Sequence, residues 1–173
     1  MTPRRKLEKA VARDFLTVAR FPALAGIPVY PGLNAEVKEA VRVHCVVSSI
    51  APAPGFEPLA GLREYVGVLS LQFVIPAHGL SETQVDEYDD LISDIQREIE
   101  ADGENALGDV INAPDGEDAP EDVRTIKGLH IYQAEIAEHA LDPQPDGYFQ
   151  DSLNYNIQFA DVGEPVPEEG GEG

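Results

Sequence analysis

Cysteine occurs once, at Cys45, so the 173-residue chain has no internal disulfide and no cysteine zinc cage. Tryptophan is absent and methionine occurs once. No stretch approaches the roughly 18 uninterrupted apolar residues that a membrane span requires. Basic side chains are the other scarcity: 12 Lys and Arg face 32 Asp and Glu, a formal charge of −20. Nucleic-acid binders neutralise phosphates with cations, so the composition argues against a general-purpose DNA or RNA binder. What remains is ordinary. Hydrophobic residues make up 43% and charged residues 25%, the usage of a globular chain long enough for one domain.

The charge is segregated. Arg4, Arg5, Lys6, Lys9, Arg13 and Arg20 are opposed only by Glu8 and Asp14, which gives the first 20 residues +4 and leaves −24 for the rest. Residues 102–122 hold eight acids and no base: Asp102, Glu104, Asp109, Asp115, Glu117, Asp118, Glu121 and Asp122. Residues 161–173 add five acids among four glycines and two prolines, a composition that cannot bury enough apolar surface to order itself. The expected organisation is one domain over residues 1–160 and an acidic tail over 161–173. Arg13 and Arg20 interrupt the first apolar segment, which argues against a secretory signal and makes the cytoplasm the default address.

Hydrophobic periodicity gives the elements. Leu7, Val11, Phe15 and Val18 recur at helical spacing and predict a helix over residues 5–19, with Arg5, Lys9 and Arg13 on another face. Prolines and glycines follow, with room for an extended piece at 27–30. Val41, Val43, Cys45 and Val47 alternate as a strand, and a Pro-rich loop is expected over 51–62. Tyr65, Leu69, Leu71, Phe73 and Ile75 share one face of a second strand, which Pro76 ends. Ser81 and Gln84 form a capping box for a helix whose stripe is Val85, Tyr88, Leu91, Ile92, Ile95 and Ile99. Gly103 is its stop, and a short helical turn is expected over 106–111. In the last quarter the pattern changes phase near Tyr132, which suggests a bulge or a strand covered on both faces. Turn residues at 142–147 join that strand to one carrying Leu153, Tyr155, Ile157 and Phe159. The order predicts an α+β domain: a mostly antiparallel sheet of two hairpins with helices packed on one face.

Motifs that carry chemistry are missing. His44, His78, His130 and His139 show no metal-ligand spacing. Asp142, Gln144, Asp146 and Gly147 begin like a calcium loop, but the twelfth position is Leu153. Cys45 sits mid-strand on the apolar side, where a thiol is inert. There is no nucleophile elbow and no phosphate-binding glycine loop. With 32 acids, carboxylate pairs arise by number alone. The expectation is no enzyme, no metal and no cofactor. Two surfaces are candidates for docking instead: the basic helix, through Arg5, Lys9 and Arg13, and the acidic segment 102–122, facing a channel or a partner.

Three stretches carry a resemblance. These are Ile27-Pro28-Val29-Tyr30-Pro31-Gly32-Leu33 after a leading helix, the strand 65–75 followed at once by the capped helix 81–100, and the closing pair 126–136 and 153–159 joined through 142–147. Their order over about residues 5–160 resembles the tail terminator (tail-completion) proteins of long-tailed bacteriophages. That resemblance implies a virion protein of the tail–neck region, assembled in the host cytoplasm. It implies a self-assembled ring, a hexamer, that caps the tail tube, ends its polymerisation and faces the head–tail connector, with a sheath protein as a further neighbour. DNA passes through such a ring without specific binding, and no membrane is involved. Two alternatives share the acidity and size: another phage neck or head-completion protein, and an acidic DNA-mimic inhibitor.

Overall fold

Apolar alternation and turn chemistry produce a single mixed sheet. The computed structural model describes residues 1–33, 41–54, 63–76, 79–113, 128–143 and 148–162. Its strands are β1 (Val29–Pro31), β2 (Arg42–Pro52), β3 (Arg63–Pro76), β4 (Leu129–Pro143) and β5 (Tyr148–Asp161), in the spatial order β1-β2-β3-β5-β4. Adjacent strands pair antiparallel except β1, which runs parallel to β2. The two expected hairpin pairs, β2–β3 and β4–β5, are present, joined side by side through β3 and β5. The two-hairpin description is loose because it leaves out β1. Val29 and Tyr30 fall in a Pro/Gly-rich stretch too short for an alternation signal, and their strand pairing is supplied by the backbone of β2.

One face of the sheet is core. Cys45, Leu71 and Leu153 stand in register on β2, β3 and β5, and so do Val47, Leu69 and Tyr155; all six are at most 1% exposed. Three irregularities bend the strands, at Val47/Ser49, Ile131/Gln133 and Ile136/Glu138. The second leaves Tyr132 as the extra residue, where the phase change places it. Gly67 lies opposite the first bulge, and a Cβ there would collide with the Ser49 carbonyl.

The helices are α1 (Pro3–Ala10), α2 (Glu82–Asp102) and α3 (Glu104–Asn112), and their buried residues join those of the strands in one cluster. Thr2 caps α1, its hydroxyl accepting from the Arg5 amide at 3.2 Å. α1 then widens into a π-helical turn over Val11–Phe15 and stops at Leu16, with φ −83° and ψ 66°. The extra residue in that turn shifts the stripe, so Phe15 and Leu16 are both buried while Val18 is 52% exposed. The first helix therefore ends short of residue 19. α2 has the expected capping box, with the Ser81 amide donating to Gln84 Oε1 at 2.9 Å and the Gln84 amide to Ser81 Oγ at 3.3 Å. Ile92, Ile95 and Ile99 are buried beneath it, each worth about 1.5–3 kcal/mol in removed apolar surface. Gly103, at φ +92°, turns α2 directly into α3.

Candidate functional site

The basic segment is partly consumed inside the molecule. Of the basic candidates, Arg5 on α1 is half-buried and its guanidinium donates to the Pro31 carbonyl of β1, Lys9 on α1 is half-buried, and Arg13 in the π-helical turn is exposed. Lys6 pairs with Asp161 at 2.8 Å, with side chains only 6% and 14% exposed. Asp161, where the sequence places the start of the acidic tail, is thus the last residue of β5 and is tied to α1. Arg20 pairs with Asp102 at 2.8 Å and lies over the Phe15 ring at 6.0 Å. These contacts neutralise Lys6 and Arg20 and hold Arg5 against a carbonyl, while Arg4 on α1 and Arg13 in the π-helical turn that follows are exposed.

Where α1 meets β1 and β2, polar groups converge on His44. This imidazole is 3% exposed. Arg42 Nε donates to its Nε2 at 2.8 Å, which assigns the proton to Nδ1, 3.0 Å from the Gly32 carbonyl. Tyr30 stacks on the ring at 5.6 Å. Burial, helped by the Arg42 charge, holds His44 below its ordinary pKa, against the Gly32 hydrogen bond. Gly32 itself has φ +77°, and a Cβ there would sit 2.6 Å from Glu8 Oε2 and 2.9 Å from Arg5 Nη1. Burial raises the pKa of Glu8, with Arg5 and Arg4 pulling it back. Cys45 is fully buried; burial, and then the Glu8 charge, push its thiol well up. This cluster is a clasp between α1 and the β1 edge, built from groups that satisfy one another.

The acidic candidates divide. Asp102 ends α2, while Glu104 and Asp109 lie on α3, and all three are exposed. Asp115, Glu117, Asp118, Glu121 and Asp122 lie outside the described residues. A second acidic surface escaped the sequence reading: Glu82, Asp86, Glu87, Asp89, Asp90, Asp94 and Glu100 are exposed along α2, with Arg97 between them. The signal was available, because the spacing that puts the isoleucines inward turns these acids outward. Beneath the C-terminal end of α2 the Tyr155 hydroxyl is buried without a partner among the described residues. Burial, then the charges of Glu100, Asp102 and Glu104, raise its pKa.

The face of the sheet away from the helices is different in character. Ser49, Ala51, Val66, Val68, Gln133, Asn156 and Gln158 line a shallow depression of about 380 Å³ there, with Glu135 its one charged lining residue. A second groove, about 320 Å³, runs between α3 and the start of β4. Tyr132 stands 49% exposed above the bulge, edge-on to His130 at 4.8 Å. Burial raises its hydroxyl pKa, and a hydrogen bond to the nearby Glu64 carboxylate raises it further. Among the described residues no three His, Cys, Asp or Glu side chains come together as a metal cage, and no helix is long and apolar enough to cross a membrane. No protein-family model matches the chain, and neither does any curated protein.

Proposed function

We propose that the protein is an architectural subunit, a tail terminator of a long-tailed bacteriophage that closes into a ring on the end of the tail tube. The observation that carries the reading is the separation of charge on a domain of the implied class. Exposed acids follow α2 and α3, whereas the exposed cations Arg4 and Arg13 lie on α1 and the π-helical turn that continues it. Six copies at −20 each carry −120, so identical subunits need complementary patches to overcome their repulsion. A heterologous contact between the exposed cations of one copy and the acidic helices of the next meets that need and closes only if the rotation permits. An acidic wall repels DNA phosphates, which suits a duct that must not grip its contents. In this reading one side of the ring meets the tube protein and the other the head–tail connector, and neither supplies a growing edge for further tube subunits.

α1 and the π-helical turn after it belong to the core, with Leu7, Val11 and Phe15 at 0% exposure, so deleting them would unfold the domain. Charge reversal is the cleaner test. Native mass spectrometry of the full chain, alone and with a tail-tube protein, is expected to give a closed oligomer that the exposed pair Arg4→Glu and Arg13→Glu converts to monomer. A monomer that ignores the tube protein at low and moderate salt overturns the reading. The acid row on α2 favours one competitor, a DNA mimic, and that competitor predicts a monomer that displaces duplex DNA from a DNA-binding enzyme.

A further inference from the structure

The groove between α3 and β4 ends in a side-chain clamp on the backbone of β4. Asn112, the last residue of α3, donates through Nδ2 to the Ile131 carbonyl at 2.8 Å and accepts from the Ile131 amide through Oδ1 at 2.7 Å. Those are the two bonds that an opposite residue exchanges in antiparallel pairing. A side-chain amide therefore stands in for one residue of a sixth strand. Past the Tyr132 bulge the backbone alternation resumes and turns the N–H and C=O groups of Ala134 and Ile136 outward. Among the described residues no strand lies beyond them. The wall facing this edge is α3, which places the exposed carboxylates of Glu104 and Asp109 in the same groove.

We infer that this groove takes an extended, cationic segment of another protein by strand addition along β4, with the added strand beginning where the Asn112 clamp ends. Backbone pairing at Ala134 and Ile136 supplies the affinity. Side chains of an added strand alternate, so every second one faces α3, where Lys or Arg meets Glu104 and Asp109. The segment is not a loop of a second copy. Outside the first 20 residues the cations are Lys38, Arg42, Arg63, Arg97, Arg124 and Lys127, and no two of them stand two positions apart. The closely spaced Arg4 and Lys6 are committed to a helix. This inference stands independently of ring assembly.

The test uses the full chain and three fluorescein-labelled eight-residue peptides at moderate salt. One alternates lysine and valine, one has the same composition in two blocks, and one alternates but carries a central proline that removes a backbone donor. Anisotropy is expected to show the alternating peptide binding about tenfold more tightly than either control, the size of one or two lost backbone bonds. Amide NMR shifts are expected at 133–136, and Glu104→Gln with Asp109→Asn is expected to weaken only the alternating peptide. Equal affinity for all three peptides, shifts centred on α2, or no binding at millimolar peptide overturns the inference.

Discussion

His44 is the residue where chemistry and architecture meet. Its ring is held neutral, donating to Gly32 and accepting from Arg42, so a second proton would point at a guanidinium. An unfolded histidine titrates near 6.5 and the folded one lower, so in that window the unfolded chain binds more protons. His44 therefore contributes fully above pH 6.5, and its contribution falls as the pH drops through the window. Glu8 works in the opposite sense. Raised above 4.5, its contribution is complete below that value and declines as the pH rises through the folded pKa. Comparing variant with parent isolates the histidine: denaturant midpoints between pH 5 and 7.5 should slope less steeply in His44→Gln, and parallel slopes would refute the assignment. Asn112 makes a separate prediction. Asn112→Ala strips both bonds from Ile131 and should cost about 1–2 kcal/mol in urea unfolding, less than a fully buried pair because water reaches this edge.

At the scale of elements, α2 was legible throughout because each of its signals is local: Ser81 and Gln84 for the start, a stripe ending at Ile99, and Gly103 for the stop. Ser81→Ala should lower the melting temperature by the equivalent of about 1 kcal/mol. Gly108 gives a prediction of the opposite sign. It lies inside α3 at ordinary φ, and a Cβ would meet Ile131 Cγ2 at 3.7 Å, a normal contact. Gly108→Ala should therefore stabilise the domain by about 0.5–1 kcal/mol, and a loss in thermal unfolding would contradict the packing described. The bulge at Tyr132 was one of two readings of a phase change, and the register shift decides for it, since one extra residue breaks a period of two. What stayed hidden depends on distant partners. The π-helical turn after Ala10 is set by packing, the continuation of β2 through Pro52 by pairing with Tyr65, and the parallel edge β1 by the backbone of β2. The docking candidates fared alike: their charges were visible, but not that Lys6 finds Asp161, 155 positions away, or that Arg20 finds Asp102.

For the whole molecule the governing quantity is −20. Self-repulsion of that size is screened within about 8–10 Å at physiological salt, so stability measured by urea midpoint should rise between 10 and about 150 mM NaCl. A flat or falling curve would mean that the Lys6–Asp161 and Arg20–Asp102 pairs, which salt weakens, outweigh the net charge. The strand order has a consequence of its own. β5, the last strand among the described residues, fills the place between β3 and β4, pairing Arg63 with Asp161 at one end and Pro76 with Tyr148 at the other. Until residues 148–161 arrive, an emerging polypeptide has two raw flanks and a missing keel. The sheet therefore completes only once β5 has been made, and pairings of such wide sequence separation are slow to close and leave strand edges open in the meantime.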